Sequence, residues 1–283
     1  MLSKSSDLIF DDLSILIAWE TMQQEMAIVP PGSVQLTGAV PSAASQPVEV
    51  SACYLDRFCV SNADFAQFVE SGGYDDTRLW PESILTDLLK FTDRTGAPGP
   101  RFWCDGKPPK DKLDHPVVGI SWFEANAYAQ WVGKRLPSPA QWQRSATWGK
   151  GSGGNESRYP WGNSYNHEYA NTWSSRIGGT VPVHQFSQGA TPSGVCQLIG
   201  NTWEWLNGQF ALSQNNTQAH QTSSILAEIR GGAFDTYFSS QATCQFRSGQ
   251  PLLVRAPNIG FRCCVECNQV IEDPKSQFQQ GDA

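Results

Sequence analysis

Two glycine-punctuated frames near the end of the chain constrain its fold more than any other feature. Arg230-Gly231-Gly232-Ala233-Phe234 opens a passage that Asn258-Ile259-Gly260-Phe261-Arg262 closes. Between the frames the residues follow neither a helical nor a strand period. Glycine holds backbone geometry that a side chain would strain, and irregular segments on a rigid scaffold are where proteins usually place function. The pattern predicts a sturdy frame presenting an irregular surface.

The enclosed residues are of the kind that make contacts. Phe234, Asp235, Thr236, Tyr237, Phe238, Ser239 and Ser240 follow the first frame, with Arg247, Gln250, Leu252, Leu253 and Arg255 further on. Aromatic rings supply stiff contact area at low entropic cost, and hydroxyls supply adaptable hydrogen bonds. These twelve are the candidate ligand-binding residues. Tyr237, Phe238 and Leu253 are expected to face solvent, whereas Phe234 fits core or surface equally.

Helix starts are written locally. Ser61 precedes Asp64 with Phe65, Phe68 and Val69 behind it; Ser121-Trp-Phe-Glu124 and Ser138-Pro-Ala-Gln141 are capping boxes, the latter with proline at the first helical position. Phe123, Ala127 and Trp131 then form the expected inward stripe of the second helix. Residues 8–26 read as one amphipathic helix on Leu13, Leu16, Ile17 and Met22. Met26-Ala-Ile-Val-Pro-Pro-Gly-Ser-Val reads as strand, turn and strand, and Gly38 to Gln46 as a loop of small residues. After Gly149 the chain is polar and glycine-rich, which predicts short strands at most. Helices first and irregular structure later is an α+β pattern with one hydrophobic core. Residues 1–25 form the leader, 26–267 the domain with a variable-type segment at 234–258, and 268–283 a flexible tail.

A net charge of −7 leaves no basic surplus for phosphate backbones, so nucleic acid is not an expected partner. No apolar run reaches transmembrane length, and Asp11 and Asp12 interrupt any signal-peptide core. The expectation is a cytoplasmic protein with its eight cysteines reduced and no membrane partner. Cys264-Val-Glu-Cys267 has the spacing of a metal knuckle, but no second pair exists to complete a zinc site. Eleven tryptophans favour a loop-rich fold fastened by large rings, with Trp131, Trp142, Trp203 and Trp205 as core anchors. Arg135 and Glu204 lie in apolar, aromatic-rich segments, so each needs a partner if buried.

Taken together the motifs resemble the formylglycine-generating-enzyme (sulfatase-modifying factor) family, whose fold is an elaborated C-type-lectin-like domain of low regular secondary structure. The stretches that carry the resemblance run from Ala27-Ile-Val-Pro-Pro-Gly through Phe58-Cys-Val-Ser-Asn-Ala-Asp-Phe, His115-Pro-Val-Val-Gly-Ile-Ser-Trp, Gly133-Lys-Arg-Leu-Pro-Ser-Pro-Ala-Gln-Trp, Tyr159-Pro-Trp-Gly and Gly200-Asn-Thr-Trp-Glu-Trp to the two frames.

The resemblance implies chemistry that this chain keeps only in part. Enzymes of the family use copper(I) held by two cysteines five positions apart between the frames. Here Cys244 matches the second and Ser239 stands at the first. A hydroxyl is a poor copper(I) ligand, so Cys244 is the alternative catalytic residue and copper the alternative cofactor. The family's iron-dependent sulfoxide-forming branch carries histidine ligands on an extra domain. The four histidines here (115, 167, 184, 220) are scattered and form no such set. Some members bind calcium, and the matching positions are Gln197, Leu198, Gly200, Thr202 and Glu204. Gln197 brings a neutral amide where an acidic or asparagine side chain is usual, which weakens attraction for a hard cation.

A non-catalytic branch with this fold comprises the variable proteins of diversity-generating retroelements, whose rewritten segment lies between a glycine frame and a terminal Ile-Gly-Phe-Arg. Residues 234–258 contain no Lys, Glu, Met or Trp, as mutated AAC-type codons would require, with Gln241, Gln245 and Gln250 then as fixed positions. The sequence therefore reads as a display protein, catalysing nothing and holding no metal, that binds a protein or other ligand through its variable segment. A copper- and oxygen-dependent oxidase acting on a protein cysteine is the alternative.

Overall fold

The computed structural model describes residues 20–36, 46–149, 156–210 and 225–267. Most of the leader-helix reading, the 38–46 loop and the 268–283 tail lie outside these residues, although 20–25 are helical.

Besides that helical stretch, nine strands and four α-helices are joined by short 3₁₀ turns among the described residues. The strands are β1 (Met26–Val29), β2 (Gly32–Val34), β3 (Val48–Val50), β4 (Cys53–Asp56), β5 (Trp203–Gln209), β6 (Leu226–Arg230), β7 (Arg247–Pro251), β8 (Ile259–Gly260) and β9 (Cys264–Glu266). The helices are α1 (Asn62–Glu70), α2 (Leu85–Leu88), α3 (Trp122–Trp131) and α4 (Pro139–Thr147).

The three expected caps form, each as a reciprocal box: Ser61 with Asp64, Ser121 with Glu124 and Ser138 with Gln141. Such a cap contributes about 1 kcal/mol, which matters for helices of only two or three turns. On α3 the stripe is rotated from the expected one. Glu124, Ala127 and Tyr128 are buried, while Trp131 leans outward and is 37% exposed.

The second half holds more strand than its composition suggests. The four-stranded sheet, in order β7-β6-β5-β8, is built wholly from residues 203–260. Its strands are antiparallel except for β8, which runs parallel to β5. The central strand β5 is buried on both faces, so Trp-Glu-Trp-Leu shows none of the alternation that marks a half-buried strand. Nor do β1 and β2 pair with each other. The first joins β4 and β9 and the second joins β3, so the Pro30-Pro31-Gly32 turn passes the chain between two sheets.

Adjacent strand residues point to opposite faces, and β5 uses this to build two cores in place of the single one expected. Trp205 enters a cluster with Phe65, Phe68, Trp103, Tyr128 and Phe261, and Leu206 enters another with Val29, Leu55, Trp142, Tyr159 and Cys244. Indole N–H groups fasten loops to these cores. Trp205 donates to the Ile120 carbonyl at 3.2 Å and Trp122 to that of Leu206 at 2.9 Å.

Candidate functional site

The opening frame is set by close backbone approaches. Gly231 has φ +97°, and a Cβ there would lie 2.7 Å from the Leu198 carbonyl oxygen. Gly200 has φ +82°, and a Cβ would lie 2.5 Å from the carbonyl oxygen of Asn171. The Gly200 N–H donates to the Gly231 carbonyl at 2.9 Å, tying the two together. Only glycine tolerates both the geometry and the proximity.

The frames are also nailed down by buried arginines. Arg230 ion-pairs with Glu228 at 2.6 Å and donates to Gln143 and to the Cys244 carbonyl. Arg262 meets Glu204 at 2.7 Å with both side chains fully enclosed. Burial pulls the Arg262 guanidinium down, but the Glu204 carboxylate and the neighbouring Cys59 and Asp56 more than offset this and leave it raised.

Between the frames the loop backbone is pinned while its tip is free. Phe234 donates its N–H to the Asn201 carbonyl, the Ala233 N–H donates to Thr236 Oγ1, and the Trp173 N–H donates to the Thr236 carbonyl at 3.2 Å. Asn258 Nδ2 donates to both oxygens of Asp235, linking the two frames across the loop. Beyond Thr236 the side chains turn outward. Tyr237 is 68% exposed and Phe238 60% exposed, their rings edge to face at 5.1 Å. Trp173, 58% exposed, packs against Tyr237 at 6.1 Å. Ser239 and Ser240 follow, also exposed, in a 3₁₀ turn.

The twelve candidates therefore divide. Asp235, Tyr237, Phe238, Ser239 and Ser240 are exposed and consecutive apart from the buried Thr236, and Phe234 is half-buried at their base. The others are placed differently. Arg247 ion-pairs with Glu228 and stacks over the Phe210 ring, while half-buried Gln250 stands opposite Ala227 in the sheet. Leu252 packs against the first core, and Leu253 is exposed. Arg255 is directed inward. It pairs with Glu124 at 3.0 Å, lies over the Phe91 ring and donates to the carbonyls of Thr92 and Gly99. Tyr74 donates to the same Glu124 oxygen at 2.7 Å. Trp173 escaped the sequence reading because it lies outside the frames, and tertiary contacts, the hydrogen bond to Thr236 among them, bring it to the surface they enclose.

The metal candidates do not fit the ions the resemblance suggests. Cys244 is fully buried in the second core, its thiol donates to the Ala146 carbonyl, and burial foremost pushes the thiol well up. Ser239 offers an exposed hydroxyl, so no pair of thiolates is assembled for copper(I). For calcium, Glu204 has no lone pair to spare. Its Oε1 accepts from Arg262 and Cys59 and its Oε2 from Arg262 and Trp142, filling the four acceptor positions of a carboxylate. The Gln197 amide presents its Nε2, a donor, to the carbonyls around it. Among the described residues no three His, Cys, Asp or Glu side chains are grouped to hold a metal ion, and no helix is long and apolar enough to cross a membrane.

Residues 17–267 match the sulfatase-modifying factor enzyme 1-like domain. The hercynine oxygenase of Mycobacterium tuberculosis is 33% identical over 169 residues, a match spanning 56% of this chain and 38% of that protein. The formylglycine-generating enzyme of Mus musculus is 29% identical over 258 residues, covering 77% of this chain and 67% of the other. Among solved structures, Treponema denticola variable protein 1 superimposes with a TM-score of 0.54 at 16% identity, covering 85% of this chain and 94% of that one. The last is a likeness of fold.

Proposed function

The chain belongs to the sulfatase-modifying factor enzyme 1-like domain family, and from that premise we propose that it is a non-catalytic member that binds a ligand through the surface formed by Trp173, Tyr237 and Phe238. The observation that carries this reading is the packing of Tyr237, on a loop whose backbone is pinned, against both Phe238 and Trp173, with each of the three rings more than half exposed. Exposed aromatic clusters mark interaction sites because water gains by their removal. Such rings commonly carry most of an interface's energy. Asp235, Ser239 and Ser240 border the rings and supply hydrogen-bonding capacity. Arg255, Arg247 and Leu252 would act as supports, since their side chains are engaged by the scaffold.

A variable protein of a diversity-generating retroelement is the specific form of this function that the sequence favours. Its test is the neighbouring DNA. A reverse-transcriptase gene and a near-identical template copy of the coding region for 234–258 are expected beside the gene, and their absence would remove the retroelement reading.

An oxidase of the parent family is the second reading, favoured by relatives named as enzymes. Against it stand the neutral, buried Cys244 thiol and the absence of a second thiolate at Ser239. Titration with copper(I), followed by assay on a cysteine-containing peptide, separates the two. Stoichiometric copper with turnover would overturn the non-catalytic reading.

A further inference from the structure

Beneath the aromatic surface lie three buried carboxamides, those of Asn171, Asn201 and Gln197. Gln197 Nε2 donates to the carbonyls of Pro182 and Gln185, both at 2.9 Å. Asn201 Nδ2 donates to the Val181 carbonyl at 3.1 Å and to Gln197 Oε1 at 2.7 Å, while Asn201 Oδ1 accepts from the Val181 N–H. Asn171 Nδ2 donates to the Gly179 carbonyl and to Asn201 Oδ1. Both N–H groups of every amide are thus satisfied. The orientation of Gln197 follows from both ends of its amide: two carbonyls face Nε2, and Asn201, itself oriented by the Val181 N–H, donates to Oε1.

Segment 179–185 has no helix or strand of its own. Its carbonyls converge on the lead-in to β5, and a convergence of buried carbonyls is what a hard divalent cation satisfies elsewhere. Here N–H groups meet them. The same residues carry both halves of the aromatic surface. The Asn201 carbonyl accepts from Phe234, the Asn201 N–H donates to the Asn171 carbonyl, and Asn171 Oδ1 accepts from Ser175, two residues beyond Trp173. Gln197 and Asn201 both hold positive φ, 54° and 66°, a local strain that persists only where surroundings compensate it.

We propose that Gln197, with Asn201 and Asn171, is a metal-free positioning clasp: its amide takes the place of a divalent cation, fastens segment 179–185 to the lead-in of β5, and so sets Trp173 against Tyr237. The final step rests on the ligand-binding reading of that surface, but the clasp does not.

The test compares the full chain with Gln197→Glu, which loses both donors and sets a carboxylate against two carbonyls, and with Gln197→Met, which leaves the carbonyls unpaired. Thermal unfolding of the unaltered protein is expected to be the same in EDTA and in millimolar calcium. Both variants are expected to unfold about 5 °C lower. Backbone hydrogen exchange in 171–185 and 233–236 is expected to quicken about tenfold in both, with α1 unchanged. A midpoint in the unaltered protein that rises with calcium or falls with EDTA would overturn the proposal, as would unaltered exchange in both segments of a folded variant. Should neither variant fold, the unaltered protein decides alone: its Val181 amide must exchange as slowly in EDTA as in calcium and as slowly as the amides of β5. These readouts need no ligand, so failure of the clasp and failure of the ligand-binding reading are separable.

Discussion

Trp173 and Tyr237 meet ring against ring at 6.1 Å on the protein surface, brought together by the hydrogen bond from the Trp173 N–H to the Thr236 carbonyl. Neither ring packs into either core, so the fold does not lean on them. Tyr237→Ala and Phe238→Ala should therefore each change unfolding free energy by no more than about 0.5 kcal/mol. Trp205→Ala, which empties the first core and removes a donor to Ile120, should cost about 3–5 kcal/mol. Chemical denaturation measures both, and similar losses at Tyr237 and Trp205 would place the loop in the core.

Glu204 and Arg262 should show the asymmetry of a buried ion pair. Replacing Glu204 with Gln or Arg262 with Met leaves the other charge enclosed without its partner, at a cost of about 3–5 kcal/mol. The double variant should recover part of that loss, because no charge then remains buried. A double-mutant cycle in urea measures the recovery. Additive losses would show that the two side chains contribute independently.

Asp93 provides a pH dependence with a definite sign. Burial pushes its carboxyl up, but hydrogen bonds from Gly106 N, Thr95 Oγ1, Thr95 N and Ala97 N outweigh this and hold it below the ordinary value of 3.8. The folded state therefore binds its proton less readily than the unfolded chain. The stability this contributes is complete above pH 3.8 and is lost as the pH falls below it, through the lowered folded value. Asp93→Asn removes that titration, so its stability profile should be flatter than the unaltered protein's over this window. Denaturation at a series of pH values checks the difference, and parallel profiles would exclude Asp93 as the source.

Thiol labelling separates the cysteines by burial. Cys53, Cys59, Cys196, Cys244, Cys263 and Cys264 are buried and free, with burial the leading cause that pushes each thiol up. The reactive species is the thiolate, so all six should be silent to an aromatic disulfide reagent near neutral pH until the protein unfolds. Exposed Cys104 should react at once, and half-buried Cys267 more slowly. Mass spectrometry of the labelled peptides identifies the sites. Rapid labelling of Cys244 would reopen the case for chemistry there.

Much of the fold was legible because capping is local. Ser61, Ser121 and Ser138 each stand three residues before a side chain that returns their hydrogen bond, and nothing distant is needed to form the box. The four-stranded sheet was not legible, since a strand buried on both faces carries no alternation to read. Trp131 failed for a related reason. A helix covered on more than one side offers several stripes, and the packing chose Glu124 and Tyr128.

The two frames were present in the amino-acid order as glycines that cannot be replaced without strain, and so was the family to which they belong. Which enclosed side chains reach solvent was settled only by folding. Arg255 and Tyr237 are alike as candidates on paper, yet Glu124 draws one inward while no buried partner draws the other. Turn and cap chemistry depends on neighbours a few residues away. Exposure depends on what the remainder of the chain brings alongside.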